Sequence, residues 1–347
     1  MRLRSGFSRT ITIGGLALFC GAVALVRAEE QSPVAISREV KEVFEHCKRA
    51  VVKIRAVDEH GTLSGTGFFI DPAGTIFTAY SVGGDADYYT IELDGKEIAA
   101  HPVMADRRSG IAILKIDTEA ATPALPFGHS KELEVATPVL AIGYPLDFDK
   151  APSYGMIAGF DRKYLGRYFA TTHLRVNMPT QRGEAGAPLL NFKGEVVGIL
   201  VMSIDSGACH ALPIDAAEKI RSDFVRFGEV RHGWVGINVG PADKPAEGSR
   251  AEFTDIMPNT PAAECGAKPG DILLQVGKTP VHEPEDVLDA SFFITAGEPV
   301  PITVMRGDQK MTFTVEAGFH PASQKPPVVA SPLTPNQGMP LSIPRTP

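Results

Sequence analysis

Between about Ala50 and Phe227 the chain alternates short β-rich runs with glycine, proline and aspartate turns, and no long helical period interrupts them. The runs include Val51–Ile54, Gly67–Ile70, Thr90–Leu93, Ile111–Ile116, Pro138–Ile142 and Val196–Met202. Asp94-Gly95 and Lys193-Gly194 stand where hairpin turns belong. Many short strands without crossover helices restrict the segment to an all-β barrel or sandwich. A helix over Pro213–Phe227 closes it.

A second unit of different texture follows from about Gly233 to Gly318. Strands are expected over Trp234–Val239, Phe253–Ile256, Ile272–Val276 and Ile302–Val304. A helix is expected over Glu283–Thr295, with Pro284 in its first turn. Ahead of the β-rich segment, Val40, Val43, Phe44 and Cys47 recur at helical spacing, which predicts a helix over Ser37–Lys48 packing its apolar stripe on the next domain.

The two ends read differently. Arg2, Arg4 and Arg9 precede an apolar run from Ile11 to Val26, and Ala28 follows in a short-residue context. This is the pattern of a secretory signal peptide cut near Ala28. An uncleaved anchor is the alternative, although the run is short for a membrane span. The Pro- and Ser-rich tail beyond His320 lacks periodicity and is expected to be disordered. The expected organisation is a signal peptide over 1–28, a helical segment over 29–49, a β-domain over 50–229, a second domain over 232–318 and a tail over 319–347. The implied location is periplasmic or extracellular.

The chain has 347 residues and a net charge of -7, without a long basic run, which argues against nucleic acid as a partner. Cys47, Cys209 and Cys265 remain after cleavage, an odd number at wide spacing. With no C-x-x-C pair and no metal-ligand cluster, they read as buried apolar residues, and neither metal nor cofactor is expected.

An ordered set of motifs carries a resemblance. Gly65–Asp71 reads G-T-G-F-F-I-D, Ala141–Pro145 reads A-I-G-Y-P, Gly194–Ile199 reads G-E-V-V-G-I and Ala211–Ile214 reads A-L-P-I. In order and spacing these resemble the trypsin-fold serine proteases of the HtrA (DegP-like) family. The resemblance implies a mainly β fold, a chymotrypsin-type double barrel of six plus six strands. The later segment resembles a PDZ domain: Trp234-Val235-Gly236-Ile237 looks like its carboxylate-binding loop and following strand. Pro258–Ala263, Lys268–Leu273 and Gly297–Arg306 are similar to its other motifs. The resemblance also implies a homotrimer.

Against the family's catalytic motifs the chain departs three times. Ser81 stands where the family has its histidine, Gly110 where it has its aspartate and Ala185 where it has its serine. A serine needs a base to become nucleophilic, and the base needs a partner that fixes its tautomer. Alanine offers no nucleophile and glycine no carboxylate. A non-enzyme, a pseudoprotease, is therefore expected. Gly183, Glu184 and Ala185 keep backbone N–H groups that can form an anion-binding remnant. Arg182 and Ala187 replace a proline and a glycine of the family loop, and whether that loop survives stays open.

Other constellations are weaker. Cys209 and His210 are adjacent, so on a strand they point to opposite faces. His210 falls beside the expected substrate pocket, where a binding role is open. His101, His129 and His173 read as solvated or structural. Glu184 and Asp106 have no spacing that pairs them. The function expected is an exported protein that binds peptides, protein C-termini or unfolded envelope proteins, as a chaperone-like scaffold or a regulator of active relatives. The alternative is an active endopeptidase that uses other residues.

Overall fold

The computed structural model describes residues 33–82, 84–93, 95–162, 171–205 and 207–319. The segments read as signal peptide and tail, 1–28 and 320–347, lie outside the described residues. Among the described residues no helix is long and apolar enough to cross a membrane.

Helix α1 spans Pro33–Cys47 and starts earlier than its apolar period suggests, since proline suits a first helical turn. Its Val43 and Cys47 enter a large core cluster, with Val40 and Phe44 beside them. A first barrel follows, built from β1 (Val51–Asp58), β2 (Gly61–Phe69), β3 (Thr75–Ala79), β4 (Tyr88–Leu93), β5 (Lys96–Asp106) and β6 (Ile111–Ile116). Strand β1 pairs with both β2 and β4, so the sheet closes and leaves no free edge. Alternation along the strands sorts the side chains. Val52, Ile54, Phe69, Ile76 and Leu114 fill the barrel, while Val51, Phe68, Phe77, Ile111 and Ile113 point outward into the shared cluster.

The second barrel repeats the plan with β7 (Pro138–Gly143), β8 (Ala151–Asp161), β9 (His173–Val176), β10 (Pro188–Leu190), β11 (Val196–Asp205) and β12 (Ala208–Pro213). Strand β10 pairs with β7 and closes it. Leu140, Ile142, Leu190 and Leu212 face the same shared cluster, which helix α2 (Ile214–Phe227) covers with Ala216, Ala217 and Ile220. The two barrels are thus joined by one apolar seam.

The remaining sheet comprises β14 (Ile237–Ala246), β15 (Ser249–Ile256), β16 (Ile272–Val276), β18 (Pro299–Arg306) and β19 (Gln309–Glu316) in that order, with β17 (Thr279–Pro280) beside β16. Strand β14 therefore forms an edge. The short helices α3 (Pro261–Glu264) and α4 (Asp286–Phe292) accompany the sheet. Buried Asp271 accepts two hydrogen bonds from the Arg306 guanidinium, Nε at 2.7 Å and Nη2 at 2.8 Å, and this forked pair ties two of the sequence motifs together.

Three expectations shift. The run expected as one strand over Trp234–Val239 is split: β13 (Gly233–Trp234) pairs with β20 (Gly318–Phe319), and β14 begins only after a turn at Gly236. Phe319, assigned to the tail, is therefore a strand residue. Helix α4 is shorter than Glu283–Thr295 at both ends, where the backbone turns more tightly than in an α-helix: Asp286, Val287 and Leu288 donate to the carbonyls three residues back at its start, and Ile294 to that of Ser291 at its end.

This last sheet docks on the barrels through α4 and the segment leading into it. Phe292 is buried in the barrels' shared cluster. Asp289 accepts hydrogen bonds from the Thr171 hydroxyl at 2.6 Å, the Thr172 N–H at 2.6 Å and the Thr172 hydroxyl at 2.5 Å. His232 Nε2 lies 2.9 Å from Asp106 Oδ1, and both side chains are buried. Burial alone would raise the Asp106 pKa, but the hydrogen bond and charge of His232, with Ser109, hold its carboxyl below the ordinary value.

A carboxyl depressed in the folded state contributes stability that is complete above about pH 4 and is lost as pH falls through its folded pKa. Asp106→Asn should therefore destabilise the chain by about 3 kcal/mol at neutral pH, as removal of one partner from a buried pair does. It should also flatten the acid limb of the stability profile. Urea unfolding followed through Trp234, the chain's single tryptophan, at pH values from neutral to below 4, measures both.

Candidate functional site

A cleft of about 500 Å³ lies between the barrels, and Ser81, Gly110 and Ala185 all line it. Three different elements bring them there. Ser81 sits exposed in the single turn Tyr80–Val82 after β3. Gly110 ends the loop between β5 and β6, and its carbonyl accepts the Tyr80 N–H at 2.7 Å. Ala185 lies in the loop before β10, where its carbonyl accepts the Thr66 N–H at 2.9 Å. Thr66 also donates its hydroxyl to the Gly183 carbonyl at 2.7 Å and accepts the Tyr144 N–H at 3.2 Å. One buried threonine of the first barrel therefore holds the loop of the second.

Within that loop, the N–H groups of Glu184, Gly186 and Ala187 donate to the carbonyls of Gln181, Leu200 and Glu184. The N–H groups of Gly183 and Ala185 meet no acceptor among the described residues. Ala187 adopts no left-handed backbone and is fully buried, so the alanine fits without strain. Glu184 is buried, accepting the Gln181 N–H at 2.6 Å and the Ser153 hydroxyl at 3.2 Å. Burial outweighs these two contacts and raises its pKa. Thr180 Oγ1, buried in the cleft wall, finds no partner among the described residues, which leaves a hydroxyl for a ligand.

Cys209 lines the cleft and His210 does not. The ring Nε2 of His210 lies 2.7 Å from Asp161 Oδ2, and the ring stands edge-on to His173 at 6.2 Å. The binding role considered for His210 in the pocket is therefore not available to it. Burial, aided by the Glu184 charge, pushes the Cys209 thiol up to about 12, so it is not a thiolate near neutral pH. Burial also lowers His173 to about 4, which keeps it neutral. His101 and His129 are exposed. Asp106 and Glu184 occupy separate networks. Among the described residues no group of His, Cys, Asp or Glu is arranged to hold a metal ion.

A second, smaller groove of about 150 Å³ runs between β14 and α4. Trp234, Val235, Gly236 and Ile237 all line it. Gly236 has φ +84°, and a Cβ there would lie 2.4 Å from Thr260 Cβ, so the turn requires glycine. The carbonyls of Val235 and Gly236 accept the N–H groups of Ala262 and Met257. No acceptor among the described residues takes the N–H of Val235 or Gly236. Arg108 in the groove, Thr180 in the cleft wall and His232, which contacts Asp106 behind the groove's loop, are residues that motif reading passes over. The one local sign is that His232 directly precedes Gly233.

The comparisons with known proteins agree with this architecture. Residues 65–199 match a family model described as a trypsin-like peptidase domain, and residues 252–306 one described as a PDZ domain. A "probable periplasmic serine endoprotease DegP-like" of Halomonas elongata is 31% identical over 274 residues, which cover 75% of this chain and 57% of the relative. The serine endoprotease DegS of Salmonella typhimurium is 29% identical over 278 residues, covering 75% of this chain and 78% of the relative. The chain thus spans little more than half the length of its DegP-like relative. Among solved structures, the "HtrA-type protease AlgW with tripeptide" superposes with a TM-score of 0.70 at 24% identity, over 81% of this chain and 97% of that one. These findings overturn the expectation of a non-enzyme. The matching model is that of a peptidase domain and the relatives are named serine endoproteases, so the family points to an enzyme.

The common cleft gives a direct test of alignment. The combined variant Ser81→His, Gly110→Asp and Ala185→Ser should gain fluorophosphonate labelling at position 185 above the wild-type level, read by peptide mass spectrometry. Gly110 has φ +79°, so its aspartate costs on the order of 1 kcal/mol in the left-handed region. A folded variant without added label at 185 would show that the three positions do not align.

Proposed function

We propose that this chain, which matches a trypsin-like peptidase domain and a PDZ domain and resembles proteins named DegP-like and DegS endoproteases, captures extended polypeptides by their C-termini in the groove between β14 and α4. The observation that carries the reading is the edge strand β14, with an apolar groove beside it and a turn of unengaged N–H groups at its start. An extended peptide can add to such an edge, gaining main-chain hydrogen bonds while its last side chain fills the groove and its carboxylate meets the turn. The structures of the HtrA-type protease AlgW with a tripeptide and with a decapeptide support the reading by likeness of fold. The cleft between the barrels, with its Gly183 and Ala185 N–H groups, is a second place for an extended chain.

A second reading is favoured by the relatives' names: hydrolysis of the captured polypeptide, as in proteins named serine endoproteases. Position 185 carries no nucleophilic atom, so this reading asks for another group in the cleft. Release of fluorescent peptides from labelled casein by repurified chain supports it, and a rate equal to that of heat-inactivated chain removes it.

The setting we propose is the cell envelope, on the basic start and apolar run of the first residues and on relatives named periplasmic. Unfolded envelope proteins are the proposed clients, active relatives the proposed partners, and a homotrimer the proposed assembly.

The groove reading predicts micromolar affinity for peptides with an apolar last residue, about -8 kcal/mol. Gly236→Ala should remove that binding, since the turn cannot accept a Cβ. Calorimetric titration of the full chain with a free-acid peptide ending in valine measures both. Unchanged binding by Gly236→Ala would place the ligand elsewhere.

A further inference from the structure

We propose that Arg108, a residue of the first barrel, supplies the positive charge that recognises a peptide's terminal carboxylate in the groove between β14 and α4. The inference rests on the reading of that groove as a peptide site. The groove is otherwise lined by apolar side chains, by glycine and by Ser291, and Arg108 is the one charged side chain among its described lining residues. It lines the same groove as Trp234, Val235 and Gly236, the turn in which the N–H groups of Val235 and Gly236 are unengaged among the described residues.

The arginine is held there by the architecture. It belongs to the loop between β5 and β6, which turns around the Asp106 carboxylate. Ser109 N–H donates to Asp106 Oδ2 at 2.9 Å and Arg108 N–H to Asp106 Oδ1 at 3.4 Å. His232 lies 2.9 Å from that same Oδ1 and directly precedes Gly233, the first residue of the turn's wall. One buried carboxylate thus fixes both the arginine's loop and the start of the carboxylate turn. Arg108 itself is half-buried. In an apolar groove the dielectric is low, and a guanidinium attracts a carboxylate more strongly than it does in water. The ligand site therefore spans two domains: the sheet supplies backbone N–H groups and the apolar pocket, and the barrel supplies the charge.

The test uses the full chain and a fluorescein-labelled peptide, Ser-Gly-Ala-Ala-Val, as free acid and as C-terminal amide, with binding read by anisotropy. Wild type should prefer the free acid. Arg108→Gln should weaken free-acid binding about tenfold, in line with loss of a charge-assisted hydrogen bond, and leave amide binding within about twofold. Arg107→Gln, its exposed neighbour, should match wild type. Arg108→Lys, which keeps the charge without the planar fork, should give an intermediate preference and covers the case of a poorly folded glutamine variant. A free-acid preference unchanged in both Arg108 variants overturns the inference and leaves the groove reading standing. Failure of wild type to bind either peptide overturns the groove reading and the inference with it.

Discussion

The contact between Asp106 and His232 joins parts of the chain that are distant in sequence. It is buried on both sides and closes the distance between the end of β5 and the segment that enters the last sheet. A buried carboxylate without a partner is costly, so each group needs the other in place. Around it, Lys219 of α2 donates to Asp223 at 2.7 Å and to the Ile294 carbonyl at 3.3 Å, and Thr295 donates to Asp223. Burial lowers the Lys219 pKa against the opposing pull of Asp223. The polar network and the apolar Phe292 together fix the PDZ domain against both barrels. Relative motion of the two would break several contacts at once.

The cleft between the barrels has a different logic. Its frame is a set of backbone and buried hydroxyl contacts, chiefly those of Thr66, that do not involve the side chains at 81, 110 and 185. Gly110 and Ala185 support it through their backbone carbonyls, so a change of side chain leaves those contacts in place, at a conformational cost only at Gly110, where φ is +79°. Glu184 is the exception, since its buried carboxyl is part of the loop's own hydrogen bonding.

Much of this was legible in the sequence, for physical reasons. Alternation and turn residues mark barrel strands because each strand buries one face, as Val52 and Ile54 do on one side and Val51 on the other. The forked pair of Asp271 and Arg306 explains why two distant motifs of the last domain occur together. The opposite faces of Cys209 and His210 followed from strand geometry alone. What could not be read is what depends on tertiary approach. No spacing announces that Asp106 meets His232, that Arg108 reaches another domain's groove, or that His210 turns away from the cleft toward Asp161. The break at Val235–Gly236 was hidden in an apolar run, and only the left-handed glycine explains it. The catalytic inference fared worst: the three substituted positions pointed away from enzymes, whereas the relatives are named endoproteases.

On the proposed reading of the groove, strand β14 also sets the length of peptide that can pair with it. An open edge is a liability, because any extended chain can pair with it. Here most of the strand is blunted: Pro241 and Pro245 have no N–H to offer, and exposed Asp243 and Lys244 lie between them. Only Ile237–Gly240 remains as a usable ladder, roughly 13 Å at the usual rise per residue. The protein would then read a terminus of about four residues and remain indifferent to the sequence before it, a short address that many unrelated chains can carry.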